Sequence, residues 1–186
     1  MLRGREQMMK EEETVNLLRY YRHDWMNTVQ LLMGYTSLGK MDKVQEKLKE
    51  SVDIAEQERK LVNLDIPKTA IWVISFNWRF DNFRIDYKVE IDNKNLSNFD
   101  EKLHQQLEEI TELLTTYATK MEMYSGTLLF HYGSDAKIEL ELSITGAFKD
   151  IEKLNEQLVK KQDLHKVVIE SLTNNQYKCT LKMECN

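Results

Sequence analysis

The sequence predicts an α+β protein: an N-terminal antiparallel helical hairpin that dimerises into a four-helix bundle, followed by an α/β sandwich. Three observations predict it. Apolar residues recur at helical spacing from about residue 11 to 63, and strand-like alternation begins only beyond the single proline, Pro67. Two long helical stretches are separated by little more than Gly39, and so short a connection sets neighbouring helices antiparallel. The apolar faces of both helices are too broad for one partner helix each, so pairing with a second copy buries them economically, the alternative being that the stripe packs on the chain's own C-terminal domain. Pro67 marks the boundary, giving a hairpin over residues 1–66 and a sandwich over residues 67–186.

The first helix is expected over residues 11–38, with Leu18, Tyr21, Trp25, Val29 and Leu32 forming one stripe. Gly39 suits its C-terminus. Asp42 opens a second helix to about Asn63, carrying Met41, Val44, Leu48, Val52, Ala55 and Val62. Beyond Pro67, Ala70, Ile71, Ile74 and Trp78 share a face of a helix over 68–82, with Phe76 and Phe80 beside it. Alternation of Ile85, Tyr87, Val89 and Ile91 with Asp86, Lys88 and Glu90 marks a strand. Leu103, Leu107, Ile110, Leu114, Tyr117 and Met121 mark a helix over 100–121.

Strands over 127–132 and 137–145 turn at Gly133-Ser134-Asp135, and the second sets Ile138, Leu140, Leu142 and Ile144 on one face. A short helix over 149–161 carries Ile151, Leu154 and Leu158. A last strand pair, 165–172 and 176–185, turns at Asn174-Asn175. These elements make a mostly antiparallel sheet with helices on one face.

The 186 residues suffice for one medium domain or two small ones. Hydrophobic residues are 41% and charged residues 31%, the balance of a soluble globular chain. A net charge of −5 with interleaved signs excludes nucleic acid as the main ligand. No apolar run suits a signal peptide or a membrane span, so a cytoplasmic location is expected. Cys179 and Cys185 alternate with Leu181 and Met183 on one strand face, too far apart to bridge easily, and are expected to be reduced core residues.

The functional stretch is Tyr20-Tyr21-Arg22-His23-Asp24-Trp25-Met26-Asn27. At ~100° per residue with His23 at zero, the apolar stripe falls between roughly 140° and 240°. Asn16, Asn27, Gln30 and Gly34 fall within roughly 40° of His23. The histidine therefore stands on the polar face, opposite in phase to a core residue. An exposed imidazole, with an ordinary pKa of ~6.5, is mostly neutral at cytosolic pH and attacks phosphorus well. Asp24 is placed to orient the ring or accept its second proton. Asn27 is placed to donate to a transferred phosphoryl oxygen, and Arg22, with Arg19 beside it, to offset its charge. Gln30 and Gly34 extend the same face, where the small Gly34 lets a partner backbone approach closely. His23, Asp24 and Asn27 lack the angles of a metal site.

The run Arg22-His23-Asp24-Trp25-Met26-Asn27, with Gln30-Leu31, Gly34 and Ser37-Leu38, resembles the sporulation-initiation phosphotransferase B family of bacilli. Asn63-Leu64, Pro67, Phe76-Asn77-Trp78 and Gly146-Ala147-Phe148 extend the resemblance, strongly in the first half and patchily in the second. The family is related to sensor histidine kinases. The resemblance implies a cytoplasmic homodimer in which His23 is the phosphoacceptor, with Asp24, Asn27 and Arg22 around it. The phosphoryl group would pass from the aspartate of one response regulator, through His23, to the aspartate of a second. Gln30, Leu31 and Gly34 would meet the regulator's receiver domain. No cofactor is expected on this chain, and Mg2+ is expected on the partner regulator.

The resemblance also implies that residues 67–186 are a degenerate kinase ATP-binding domain that no longer binds ATP. Where kinases carry an Asn-x-x-x-Asn pair for magnesium and phosphates, this chain has Glu112 and Thr116. The adenine-binding Asp-x-Gly-x-Gly aligns with Ile144-Thr145-Gly146-Ala147-Phe148, so isoleucine replaces the adenine acceptor, and no Gly-rich lid follows. Two other readings use the same residues: an autophosphorylating histidine kinase, and a dimeric scaffold that binds regulators without accepting phosphate.

Overall fold

A computed structural model describes residues 2–92, 94–133, 136–161, 164–172 and 175–185, with the side chains of residue 12 and of 14 onward. The expected turn residues Ser134, Asp135 and Asn174 lie outside these. The chain is α+β and divides into two compact units, Met1–Glu56 and Gln57–Asn186.

The first unit holds α1 (Leu2–Ser37) and most of α2 (Met41–Val62). Gly39 ends α1 at φ 67°. Its N–H donates to Thr36 C=O at 3.0 Å, and Lys40 N–H donates to Tyr35 C=O at 2.9 Å. These two bonds satisfy last-turn carbonyls and need a left-handed residue at that position, which explains the glycine. Within the unit Thr28, Val29, Leu32 and Tyr35 are half-buried on α1 and Val44 is buried on α2. The rest of the expected stripes is wet in the single chain: Trp25 is 60% exposed, and Leu18, Leu48 and Val52 are also exposed.

The second unit takes the end of α2, whose Leu61 joins Leu64 and Ile66 in its core. It continues through α3 (Pro67–Arg79), β1 (Phe83–Val89), a 3-10 turn at Ser97–Phe99 and α4 (Asp100–Tyr117). Then come β2 (Tyr124–Tyr132), β3 (Ile138–Gly146), α5 (Ile151–Val159), β4 (Lys166–Ser171) and β5 (Tyr177–Cys185). The sheet order is β1-β2-β3-β5-β4. Only the β1–β2 pair is parallel, because β1 reaches β2 through the α4 crossover.

The core lies between this sheet and the helices, and alternation along the strands fills it. Leu140, Leu142 and Ile144 of β3 face Met183, Leu181 and Cys179 of β5, all buried. Burial pushes the Cys179 thiol up to about 12 and that of Cys185 up to about 11, the latter against an opposing pull from the Lys102 cation. Both cysteines are free, as their strand spacing implied. An aromatic run crosses the core, with Phe83 stacked on Tyr124 at 4.6 Å and Tyr124 against Phe148 at 5.0 Å.

Two expectations need correction. The face of α3 that enters the core carries Thr69, Ala70, Trp72, Val73 and Phe76, whereas Ile71 is exposed and Ile74 and Trp78 are half-buried. This helix is apolar around most of its circumference, so spacing alone left its phase ambiguous. The second correction concerns α4, which stops at Tyr117 rather than Met121. Ala118 turns to extended backbone and bridges to Phe148, and Thr119 N–H donates to the Tyr124 hydroxyl at 2.8 Å. Met121 is accordingly 97% exposed.

Side chains finish what the backbone leaves open. Asn77 acts as a piece of strand beside β1: its Nδ2 donates to Ile85 C=O at 2.9 Å and its Oδ1 accepts from Ile85 N–H at 2.8 Å. Gln57 Oε1 accepts from Val89 N–H at 2.8 Å on the same edge. Replacing Asn77 with alanine strands both groups of Ile85 and should destabilise the unit by about 1–3 kcal/mol. Urea denaturation, with a lower midpoint and an unchanged slope, checks this.

Candidate functional site

The helix α1 carries all seven residues that the sequence nominated, and its phase decides which of them meet. His23, Asp24 and Asn27 come together. The His23 side chain is 72% exposed, and its Nδ1 lies 3.4 Å from Asp24 Oδ1 and 3.2 Å from Asn27 Nδ2. Residues four apart on a helix are neighbours, which puts Asn27 beneath the ring. Among the described residues, His23 Nε2 has no hydrogen-bond partner.

Which nitrogen carries the proton follows from the partners. The Asp24 carboxylate only accepts, so its approach to Nδ1 is favourable when that nitrogen is protonated. The Asn27 amide serves either tautomer, since its two ends differ only by a flip. A proton on Nδ1 suits Asp24 and leaves the Nε2 lone pair outward, and this tautomer requires the Asn27 amide to turn its Oδ1 toward the ring, because Nδ2 is the atom that lies 3.2 Å from Nδ1. Asn27 lies against the ring itself, one turn along the helix.

Arg22 is exposed, about 100° around the helix from His23. Arg19 donates to Asn16 Oδ1 at 3.3 Å. Further along the helix, Gln30 and Leu31 are exposed, and a Cβ placed on Gly34 would meet nothing within 4 Å. The packing of this chain therefore does not require a glycine at position 34.

In the second unit, of the positions that the resemblance sets against nucleotide ligands, Ile144 and Gly146 have packing roles and Glu112 and Thr116 do not. Ile144 is fully buried in β3. Gly146 lies flat against the Tyr124 ring, where any Cβ would overlap it. The Tyr124 hydroxyl donates to Ala147 C=O and closes this corner. Glu112 and Thr116 are exposed on α4, and Thr116 Oγ1 donates back to Glu112 C=O at 2.8 Å. Sequence spacing alone left the surviving glycine unexplained; its reason is an aromatic ring 22 residues earlier in the chain.

Among the described residues, no group of three or more His, Cys, Asp or Glu could hold a metal ion. No helix among them is long and apolar enough to cross a membrane.

Comparison with known proteins adds to this geometry. The family model for the α-helical domain of Spo0B-type sensor kinases matches residues 4–64. The model for the C-terminal part of sporulation initiation phosphotransferase B matches residues 65–186. The chain is 35% identical over 139 residues to sporulation initiation phosphotransferase B of Bacillus subtilis strain 168, covering 74% of this chain and 72% of that protein. Among solved structures, it is similar to the histidine kinase domain of a blue-light-activated histidine kinase from Erythrobacter litoralis. That match has 9% identity and a TM-score of 0.39 over 63% of this chain and 60% of the other. The kinase itself matches with 9% identity and a TM-score of 0.38, over 73% of this chain and 50% of the other. With both family models spanning it end to end, the chain belongs to the sporulation initiation phosphotransferase B family.

Proposed function

We propose that this chain is a phosphorelay phosphotransferase that moves a phosphoryl group between the aspartates of two response regulators through His23. The observation that carries the reading is an exposed imidazole whose Nδ1 is held by Asp24, leaving Nε2 outward as a nucleophile. In the step, the Nε2 lone pair attacks phosphorus of the regulator's acyl phosphate. The N–P bond forms as the O–P bond breaks, and the carboxylate leaves with its electron pair. The imidazolium keeps its proton on Nδ1 against Asp24, which offsets the new positive charge. Return to a second aspartate reverses these changes.

Both phosphorylated species are high in energy, so the exchange is near balance and positioning supplies most of the catalysis. A magnesium ion carried by the receiver domain would neutralise charge on the transferring group. Arg22 would add a cation beside it, and Asn27 would swing from the ring to a phosphoryl oxygen. Gln30, Leu31 and Gly34 would receive the regulator, the missing side chain at 34 admitting its backbone. The exposed Leu18, Trp25, Leu48 and Val52 favour a homodimer in which two hairpins, residues 1–66, form a four-helix bundle in the cytoplasm.

Residues 67–186 would serve as an ATPase-like domain without ATP chemistry, a reading supported by isoleucine at 144, where the resemblance to kinases sets the adenine-binding aspartate. Incubation with radiolabelled ATP alone is expected to leave the protein unlabelled. Incubation with a labelled phosphoreceiver domain is expected to label it in an acid-labile, alkali-stable form. Labelling by ATP alone would replace this reading with autokinase activity, and binding of the receiver without any labelling would replace it with a scaffold.

A further inference from the structure

The two edges of the five-stranded sheet are finished differently. At the β1 edge, Asn77 and Gln57 occupy the outward backbone groups of Ile85 and Val89. At the β4 edge, no side chain among the described residues bonds to the backbone of Lys166–Ser171, and β5 is the only neighbour of that strand. Leu172 N–H donates to Gln176 C=O, and bonded positions alternate along an antiparallel ladder. Val168 and Glu170 therefore bond inward to β5, and the N–H and C=O of Val167 and Ile169 point outward, while ahead of them the Lys182 C=O accepts from His165 N–H at 2.9 Å.

The side chains of β4 separate cleanly. Val167 and Ile169 pack against the core, while Lys166, Val168 and Glu170 line the open sheet face with Lys178, Thr180 and Lys182. On that face Lys182 is held by Glu139 at 3.0 Å and Glu141 at 2.9 Å. Lys166 stands directly opposite Lys182, a like-charge pairing that leaves it in need of an anion. Among the described residues, neither Lys166 nor Glu170 has an ion-pair partner within 4 Å, although Glu170 stands opposite Lys178 on the ladder.

We infer that β4 is the docking edge for a second copy of this chain, two β4 strands pairing antiparallel about a two-fold axis at Val168. In this register Lys166 meets Glu170 of the second copy, Val167 meets Ile169, and Val168 meets its own counterpart. Val167 and Ile169 are the residues whose backbone groups point outward, so the same register supplies about four new backbone hydrogen bonds. Their side chains meet on the core side and extend the buried layer across the seam. The charges disfavour two alternatives: sliding the strands by four residues, or pairing them parallel in register, sets Lys166 against Lys166 or Glu170 against Glu170. The contact is independent of the helical bundle proposed above, since it uses only the second unit.

The test is cross-linking of the full chain under mild oxidation, with Val168→Cys compared against Lys166→Cys. The native Cys179 and Cys185 are buried, which leaves each introduced thiol as the accessible one. The two Val168 positions face each other at the axis, whereas Lys166 and its counterpart stand four residues apart along the strand, roughly 13 Å. Val168→Cys is expected to form a disulfide-linked dimer at least about tenfold faster than Lys166→Cys. Equal rates at the two positions, or no cross-link at Val168→Cys, would overturn the inference. Charge reversal gives a second reading in the Val168→Cys background. Lys166→Glu or Glu170→Lys alone should suppress the cross-link, and the double reversal should restore it. Suppression by both singles without recovery in the double would equally reject this register.

Discussion

Replacing His23 with alanine is expected to abolish phosphoryl transfer from a phosphorylated receiver domain, with the fold untouched. The side chain is 72% exposed and its polar contacts are to Asp24 and Asn27 on the same helix. Truncating it removes no core volume and strands no buried group, so the change in stability should stay within about 0.5 kcal/mol. The chemical effect is total because no other nucleophile shares the face: Asn27 is an amide and Asp24 a carboxylate that serves His23. Acid-labile label should fall to background, while circular dichroism and the urea midpoint remain those of the native protein. Acid-labile label that persists in the variant would move the acceptor to another residue. A loss of label together with a lowered midpoint would instead make His23 structural. The two readouts together therefore separate chemistry from folding.

The largest effect on stability is expected at Asp100, far from that chemistry. Helix α3 begins after Ile66, which has no side chain to offer the open N–H groups of the first turn. Asp100, at the start of α4, supplies the cap: its carboxylate accepts from Lys68 N–H at 3.0 Å and from Thr69 N–H at 2.9 Å. The Thr69 hydroxyl donates in turn to Asp100 C=O at 3.3 Å. Both Asp100 and Thr69 are buried, so water cannot take over the bonds. An acid at a helix N-terminus also opposes the positive end of the helix dipole. Asp100→Ala should therefore cost about 2–4 kcal/mol, from two charge-assisted hydrogen bonds lost and the Thr69 N–H left dry. Asp100→Asn keeps one acceptor and should cost about half as much. Urea denaturation measures both. A shift below about 0.5 kcal/mol in the alanine variant would contradict the capping role.

The candidate site was legible because it is local. Helical pitch alone turns His23 away from Leu32 and sets Asn27 one turn beneath it, and no distant residue is needed to predict either relation. The same holds for the end of α1, where Gly39 is written into the sequence, and for β3 and β5, whose strict alternation names their buried faces. The end of α4 was not legible. Thr115 and Thr116 carry no stop signal, and the helix breaks because Ala118 bridges to Phe148 and Thr119 bonds the Tyr124 hydroxyl. The buried face of α3 was hidden for a different reason: its two overlapping apolar stripes, one with Val73 and Phe76 and one with Ile71 and Trp78, both satisfy helical spacing.

By itself, then, the amino-acid order determined the period of every element and the polar setting of His23. Each is a property of spacing or of side-chain chemistry within a few residues. Only the tertiary structure decided that Asp100 caps α3, that Asn77 and Gln57 close one sheet edge, and that Gly146 exists to seat Tyr124. Those pairs lie eight to 32 residues apart along the chain, beyond one helical turn or one strand repeat, where periodicity carries no information. They meet because buried polar groups must find partners and a packed core leaves room for one ring in one place.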